Sequence, residues 1–212
     1  MNKNLENIYT QHHKANREGG FSIMREERGV LIKQLVGKNK KVLDIGCRDG
    51  ALTAYFAEGN EVLGIDIDNI ALAEAKRFLS IETMNVDLNG EWSELSERKF
   101  DVIVAGEVLE HLYYPSRVVL RIKKHLVKGG MFLGSVPNAF SLKNRLRYLL
   151  GQKNHTPLSD PTHINQFSYG ELREMLERNF QNVEIIGLGR YTSISKMFPS
   201  LMAFDLFFKA SH

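Results

Sequence analysis

The chain has 212 residues, of which 43% are hydrophobic, and its 28 basic and 25 acidic side chains leave a formal net charge of +3. This length suffices for one hydrophobic core and favours a single domain, residues 1–212, over two full domains. The balanced charge does not indicate nucleic acid binding, and no apolar run reaches the roughly 18 residues of a membrane span. Because the start of the chain also lacks the apolar middle of a signal peptide, we expect a cytoplasmic protein without stable membrane insertion.

Strand-like and helix-like segments alternate along the chain. Short runs rich in β-branched residues predict seven strands, over residues 42–45, 61–65, 81–85, 101–105, 131–136, 183–188 and 204–209. Helical patterns between them predict helices over residues 50–57, 70–79, 116–126 and 169–178. The last of these helices starts with a capping box formed by Ser168 and Glu171. The alternation predicts an α/β fold with a mostly parallel sheet.

Two segments interrupt this alternation. An N-terminal helical segment ends in MREERGVLIKQLV, and an insertion covers residues 138–166. The expected parts are therefore an N-terminal cap over 1–38, a core over 39–137, the insertion, and the C-terminal part of the sheet over 167–212. The insertion contains an amphipathic helix within SLKNRLRYLLGQK. Its leucines at helical spacing are Leu142, Leu146, Leu149 and Leu150, and its bases are Lys143, Arg145 and Arg147.

The stretch KVLDIGCRDG predicts a ligand-binding loop at the end of the first strand. Gly46 and Gly50 let the backbone approach a ligand closely at the carboxyl edge of the sheet. A dinucleotide fingerprint would need glycine where Arg48 and Ala51 stand, which argues against a pyrophosphate and so against an NAD-dependent oxidoreductase. Asp66 lies at the end of the second strand, at the spacing where an acid reaches ribose hydroxyls. Adenosine without a pyrophosphate is the ligand that this pattern favours.

An ordered set of motifs resembles class I S-adenosylmethionine-dependent methyltransferases. The set is VLDIGCRDG, GIDID, VDL, FDVIVAGEVLEHL and LVKGGMFLGSVPN, and it spans residues 41–138. Within that family the chain looks most like the branch that includes ubiquinone-biosynthesis O-methyltransferases and MetW. The resemblance implies a Rossmann-like seven-stranded sheet with helices on both faces, its last strand antiparallel, and S-adenosylmethionine as cofactor. Arg48 departs from the family, which often has glycine there.

The same resemblance implies which residues surround the cofactor. Asp44 and the glycine loop would hold the methionyl part, Asp66 the ribose diol, and Asp87 the adenine amino group. The residues that end the fourth strand would close over the sulfonium. Each acid also has a structural alternative, since Asp44 could tie the loop together, Asp66 could cap the next helix, and Asp87 could be a turn residue. The full cofactor set is Asp44, Gly46, Cys47, Arg48, Gly50, Asp66, Ile67, Asp87, Leu88, Ala105, Gly106 and Glu107.

Candidate catalytic residues lie in EVLEHL and in DPTHINQF. Glu107, Glu110 and His111 would share one face of a helix, and a histidine or carboxylate there could take the proton from a hydroxyl acceptor. His163 is a second candidate, as a base, a substrate contact or a residue that holds the insertion in place. We assign catalysis to His111, Glu110 and His163 and assign no metal, although the EVLEHL cluster could hold a divalent ion or simply be structural. The only cysteine, Cys47, is expected to be a small packed residue and not a nucleophile.

The insertion is expected to form a lid that recognises the acceptor. Its leucines could pack on the domain while its bases are solvated, or the bases could meet an anionic acceptor such as a nucleotide sugar, a carboxylate or a lipid-linked sugar phosphate. Shallow membrane contact, helped by KMFPSLMAFDLFF, is a third alternative that we disfavour because AFDLFFK predicts the last strand. Tyr9 could close over the cofactor, while His12 and His13 are expected to be exposed.

These residues together predict an S-adenosylmethionine-dependent methyltransferase. The expected acceptor is a small molecule or a glycan or lipid precursor, methylated on oxygen by in-line displacement. The alternative is a regulatory partner subunit that binds S-adenosylmethionine without catalysis, as the resemblance to MetW allows.

Overall fold

A computed structural model describes residues 24–189 and 192–212 of the protein. The predictions for Tyr9, His12 and His13 lie outside these residues. The chain divides into two compact units. The first unit runs to Gly106 and includes His125–Val127, and the second comprises Glu107–Lys124 and Lys128–His212. The single domain over 1–212 and its expected parts stay predictions.

All seven predicted strands are present. The strands are β1 (Lys41–Ile45), β2 (Glu61–Asp66), β3 (Glu82–Asn85), β4 (Phe100–Gly106), β5 (Leu126–Pro137), β6 (Asn182–Leu188) and β7 (Asp205–Ser211). They form one seven-stranded sheet in the order β3-β2-β1-β4-β5-β7-β6. The predicted Rossmann-like α/β architecture with a mostly parallel sheet is confirmed.

The observed helices match the predicted helices less completely than the strands do. The helices are α1 (Arg25–Val36), α2 (Asn69–Leu79), α3 (Pro115–His125), α4 (Leu142–Leu149), α5 (Tyr169–Glu177), α6 (Thr192–Met197) and α7 (Pro199–Met202). The first five were predicted, and the capping box of Ser168 and Glu171 is confirmed. The two short helices α6 and α7 were not predicted.

The predicted helix over residues 50–57 is wrong. Only a 3-10 turn over Thr53–Tyr55 forms there, in which Phe56 N donates to Thr53 O at 3.0 Å. Gly50, where the helix was predicted to start, has a left-handed φ of 81°, which a right-handed α-helix does not contain. Thr53 is also drawn inward, because its hydroxyl donates to the buried Asp44 carboxylate at 2.6 Å.

In the first unit, parallel pairing brings three loops to one edge. β1 pairs with β2 and β4, and β2 pairs with β3, with Ile45 opposite Ile65 and Asp66 opposite Asn85. Strands buried on both faces are nearly continuous apolar runs, as in VLDI and VIVA. Since parallel strands end at the same edge, the loops after β1, β2 and β3 lie together.

In the second unit, β7 reverses direction. It pairs antiparallel with β5 and with β6, so that Phe207 lies opposite both Ser135 and Ile186. The predicted antiparallel last strand is confirmed. Phe132 and Phe208 pack edge to face in this core, with ring centroids 4.9 Å apart.

The insertion carries helix α4, which begins at Ser141. The Ser141 side chain caps the helix by accepting from Asn144 N. The predicted helix is therefore confirmed, but its leucines are exposed and its buried residue is Asn144. Among the described residues, no helix is long and apolar enough to cross a membrane.

The capping box generates a prediction about stability. Ser168→Ala removes the acceptor for Glu171 N, so the free energy of unfolding should fall by about 1 kcal/mol. Urea denaturation measures this loss. Ser93→Ala is the control, because the Ser93 hydroxyl lies on the surface beside Glu94. A loss no larger than that of the control would contradict the capping role.

Candidate active site

The loop after β1 is tied to the end of β2 through its backbone. Gly46 N and Cys47 N both donate to Ile65 O, at 2.8 and 3.2 Å. Gly46 and Gly50 have φ of 69° and 81°, in the left-handed region that favours glycine. A Cβ on Gly50 would lie 2.6 Å from a Leu79 methyl group. Both glycines of the predicted ligand loop are thus required by its conformation.

Arg48 occupies the loop position where a glycine is common in the resembling family. It has φ of 51°, a conformation that costs a non-glycine residue roughly 1–2 kcal/mol. Its backbone N donates to an Asp66 carboxylate oxygen at 3.0 Å, and its guanidinium pairs with Asp49 at 3.0 Å. The left-handed turn therefore forms with arginine in place, and its side chain is held against the neighbouring acid.

Asp66 holds two loops in position. One carboxylate oxygen accepts from Arg48 N and the other from Asp68 N, at 3.0 and 2.9 Å. The alternative that Asp66 caps the next helix is wrong, because Asp68 is the N-cap of α2 and accepts from Ile70 N and Ala71 N. Asp66 thus ties the loops after β1 and β2 together, and a contact to ribose hydroxyls stays a prediction.

Asp44 lies beneath this loop with its carboxylate buried. Its pKa is raised to about 7 in total: burial is the largest cause, the hydrogen bond from Thr53 opposes the rise, and the Asp66 charge adds to it. A carboxyl group with this pKa is half protonated near neutral pH. A nearby cation would stabilise its ionised form.

Asp87 lies in the loop after β3 and forms a turn. One of its carboxylate oxygens accepts from Asn89 N at 2.9 Å, and Gly90 N donates to its carbonyl at 2.9 Å. Trp92 is buried and donates from Nε1 to Leu88 O at 3.2 Å, which fixes the rest of the loop. The turn alternative for Asp87 is thus observed, and a contact to adenine stays a prediction.

Cys47 is a packed residue, as expected. A Cβ on Gly64 would lie 2.7 Å from its sulfur, so the thiol fills the space beside β2. Burial, together with the charges of Asp44 and Asp66, raises the pKa of the thiol well above its usual range. A protonated, buried thiol is unsuited to act as a nucleophile.

Arg28 is a candidate ligand-binding residue that the sequence did not lead us to predict. It lies on α1 and is fully buried, and a Cβ on Gly106 at the end of β4 would approach its guanidinium to 3.7 Å. The signal was present in the sequence, because Arg28 shares the i, i+4, i+8 stripe of α1 with the buried Ile32 and Val36. A buried guanidinium at this strand end is suited to bind a carboxylate.

In the second unit, Glu107 does not lie on a helix. It has φ of 58°, its backbone N donates to Ser135 O at 3.1 Å, and its carboxylate accepts from the Ser135 hydroxyl at 2.9 Å. The prediction that it shares a helical face with Glu110 and His111 is therefore wrong. Only a 3-10 turn over Leu109–His111 forms, because the left-handed Glu107 prevents an earlier start.

Glu110 and His111 lie close to His163 instead of Glu107. Ligating atoms of Glu110, His111 and His163 all lie within 4.8 Å of one another. The two imidazole rings pack edge to face with centroids 4.8 Å apart, and His111 Nε2 lies 3.9 Å from a Glu110 carboxylate oxygen. The structure thus brings together the three residues to which catalysis was assigned.

Backbone carbonyls orient both rings. Thr162 O lies 2.9 Å from His111 Nδ1, and Pro157 O lies 3.2 Å from His163 Nδ1. A carbonyl only accepts, so these contacts favour the tautomer with the proton on Nδ1, in which Nε2 of a neutral ring carries a lone pair. The Nε2 atoms of His111 and His163 lie 3.9 and 3.7 Å from the carboxylates of Glu110 and Asp160. Asn165 completes the attachment of this segment, since its backbone N donates to Glu110 O at 2.9 Å. Two Nε2 lone pairs and a carboxylate could accept a proton or hold a divalent metal.

The fold and this geometry together define a class of protein. It is a Rossmann-like α/β protein whose first unit has a glycine loop and an acid at the carboxyl edge of the strands, and whose second unit has a cluster of one glutamate and two histidines. The pattern of the methyltransferase domain family matches residues 22–185. The chain belongs to that family, which confirms the resemblance to class I S-adenosylmethionine-dependent methyltransferases and S-adenosylmethionine as the family's cofactor.

Curated relatives agree with this assignment. The chain is 30% identical over 140 residues to a probable S-adenosylmethionine-dependent methyltransferase of Mycolicibacterium smegmatis, covering 65% of this chain and 50% of that protein. It is 36% identical over 104 residues to the ubiquinone biosynthesis O-methyltransferase of Nitrosococcus oceani, covering 47% of this chain and 44% of that protein. The match thus spans half or less of the length of these relatives.

A solved structure shows the same fold. A SAM dependent methyltransferase from Archaeoglobus fulgidus superposes with a TM-score of 0.69 at 19% identity, covering 96% of this chain and 99% of that chain.

The raised pKa of Asp44 generates a prediction about pH. Between pH values of about 4 and 7, Asp44 keeps a proton in the folded protein that it has lost in the unfolded chain. The contribution of Asp44 to the free energy of unfolding is therefore complete below about pH 4 and is lost as the pH rises through about 7. Between about pH 5 and pH 8 the protein should lose about 3 kcal/mol of unfolding free energy relative to Asp44→Asn, which does not titrate.

Urea denaturation at several pH values, without cofactor, measures this difference. Glu58→Gln is the matched control, because Glu58 is exposed. Parallel pH profiles for the protein and its Asp44→Asn variant would show that the carboxyl group titrates normally.

Proposed function

We propose that the protein transfers the methyl group of S-adenosylmethionine to a hydroxyl oxygen of a small molecule or of a glycan or lipid precursor. The observation that carries this proposal is the trio of Glu110, His111 and His163, whose ligating atoms lie within 4.8 Å of one another. Membership of the methyltransferase domain family supports methyl transfer, and the similarity to ubiquinone biosynthesis O-methyltransferases supports oxygen as the acceptor atom. A cytoplasmic location stays a prediction.

The first unit would bind the cofactor. In this proposal Asp44 faces the ammonium of the methionyl part, and its raised pKa would fall when that cation binds. Arg28 would pair with the methionyl carboxylate. Asp66 would accept from the ribose hydroxyls while keeping its two backbone donors, and Asp87 would accept from the adenine amino group beside Leu88.

The reaction is a displacement in line with the carbon–sulfur bond. The acceptor oxygen forms a bond to the methyl carbon, the carbon–sulfur bond breaks, and its electron pair stays on sulfur as a neutral thioether. The hydroxyl proton moves to a base, for which we propose His111 Nε2. The Nδ1 bond to Thr162 O holds the ring, and the Glu110 carboxylate at 3.9 Å would stabilise the imidazolium that forms. His163 would orient His111 through the ring contact.

A divalent metal is the alternative use of the same trio. The three ligating atoms would need to contract from 4.8 Å toward the separations of about 3 Å found around a tetrahedral or octahedral ion. Two imidazoles and one carboxylate are a suitable ligand set for such ions. A bound metal would lower the pKa of the acceptor hydroxyl and so replace the base.

One observation favours a second function, a regulatory subunit that binds S-adenosylmethionine and acts through a partner. The leucines of α4, which could have packed on the domain, are exposed. Incubation with methyl-labelled S-adenosylmethionine and a metabolite extract separates the two functions. A labelled product found by mass spectrometry supports catalysis, whereas cofactor binding without any labelled product supports the regulatory role.

The ribose assignment generates a prediction about binding. Asp66→Ala removes charge-assisted hydrogen bonds, so it should weaken S-adenosylhomocysteine binding by about 1.5–3 kcal/mol per bond, measured by calorimetry. Because Asp66 also holds the loops, Arg48→Gly serves as a control that alters the loop and keeps the carboxylate. Equal affinity of the protein and its Asp66→Ala variant would contradict the ribose role.

The proposed base generates a prediction about rate. Once a labelled product identifies the acceptor, His111→Ala should lower the single-turnover rate by roughly 10²–10⁴, with cofactor affinity little changed. His125→Ala is the matched control, because His125 Nδ1 also bonds a backbone carbonyl, that of Arg98 at 2.9 Å.

The metal alternative gives a different result in the same assay. A chelator should then abolish turnover and added magnesium should restore it. A full rate in His111→Ala, with no effect of chelator, would show that the trio is structural.

A further inference from the structure

Helix α4 is oriented with its leucines outward. Leu149 and Leu150, at its end, are 83% and 73% exposed. The inner side of the helix carries Asn144, which is buried and donates from Nδ2 to Asn138 O at 3.0 Å. This polar anchor determines which side faces inward, so the apolar stripe of α4 does not contribute to the core of the second unit.

A second exposed apolar segment lies against α4. Helix α7 contacts α4, and the stretch over α6 and α7 exposes Met197, which is 68% exposed, together with Phe198 and Leu201. Asn138 joins the two segments, since its buried side chain donates to the carbonyls of Pro199, Ser200 and Ala203. We call the exposed residues of α4, α6 and α7, with Leu150, the apolar face of the second unit.

The two segments that form this face carry bases and no acids. Residues 138–159 contain no acidic residue, and residues 192–204 contain none either. The bases in these two segments are Lys143, Arg145, Arg147, Lys153 and Lys196. Within the ranges that the structure describes, none of the five forms an ion pair.

The distribution of charge argues against a second copy as the occupant. A two-fold interface places the same patch of both copies face to face, which would bring the five bases of one copy toward the five of the other. Like charges that meet in a desolvated interface are destabilising. Bases and leucines alternate along α4, so cationic and apolar side chains share one surface.

We infer that the apolar face binds the surface of a membrane that contains anionic lipids. Leucine, methionine and phenylalanine side chains would enter the boundary between head groups and acyl chains, while the apolar stems of the bases lie along it and their charges meet phosphates. Shallow membrane contact was disfavoured because AFDLFFK predicts the last strand, and that strand is confirmed as β7 from Asp205. The residues before it do not join the strand, because residues 192–202 form α6 and α7. The inference does not depend on the proposed methyl transfer.

Vesicle flotation tests this inference with the full chain. The protein should float with vesicles of phosphatidylcholine and phosphatidylglycerol at low salt, and it should bind much less to phosphatidylcholine alone. Replacing Lys143, Arg145 and Lys153 together by alanine should weaken binding roughly 10- to 100-fold, because each base near an anionic surface contributes separately. The double change Leu149→Glu with Leu150→Glu should abolish flotation while leaving the folded core intact.

Matched controls use exposed residues of the first unit. Phe78 is 67% exposed on α2, so Phe78→Glu adds a charge to an apolar surface position elsewhere. Replacing the exposed Lys38, Lys40 and Lys76 by alanine removes the same number of charges as the triple change in the insertion. Both controls should float like the unaltered protein.

Three results would overturn the inference. One is no flotation with anionic vesicles, and another is equal loss in the insertion variants and the first-unit controls. The third is a dimer in sedimentation that the leucine double change converts to a monomer, which would assign the face to a second copy. Equal binding to neutral and anionic vesicles would contradict the role of the bases.

Discussion

The candidate cofactor site depends on the hydrogen bonds that the buried Asp66 carboxylate accepts. Its two oxygens accept from the backbone N of Arg48 and of Asp68, so a single side chain fixes the loops that follow β1 and β2. Parallel pairing makes this possible, because Ile45 and Ile65 lie side by side where both strands end. The hydrogen bond from Arg48 N to Asp66 then maintains the left-handed turn at Arg48. This bond offsets the conformational free-energy cost of arginine at a position where glycine is favoured.

Two buried carboxylates near one loop also prepare that loop for a cation. The Asp66 charge adds to burial in raising the pKa of Asp44, so the Asp44 carboxyl group keeps a proton that an exposed carboxyl would lose at neutral pH. An ammonium or sulfonium bound there would stabilise the ionised carboxylates and displace the proton. If the proposed function holds, cofactor binding and proton release at Asp44 are therefore linked.

The sequence predicted the strands and the cofactor loop well because both are local patterns. A buried parallel strand is a short apolar run, and Gly46 and Gly50 lie where the strand ends. The helix predictions that were wrong failed because of contacts with residues elsewhere in the sequence. Thr53 leaves a helical path to bond Asp44, and Glu107 turns back to bond Ser135 on β5. The trio at His163 could be assigned by resemblance, but its geometry depends on carbonyls of Thr162 and Pro157 that no spacing rule indicates.

Helix α4 shows a more general limit on what periodicity can predict. The leucine spacing correctly predicted an amphipathic helix, and periodicity alone gives the width of the apolar stripe but not the direction in which it faces. Here the direction depends on Asn144 and Asn138, which satisfy each other and the carbonyls that precede β7. A buried amide without such partners is costly, and the orientation that keeps Asn144 bonded is the one in which the leucines face outward. An amphipathic helix beside a polar anchor should therefore be assigned to the core or to the surface only after that anchor is located.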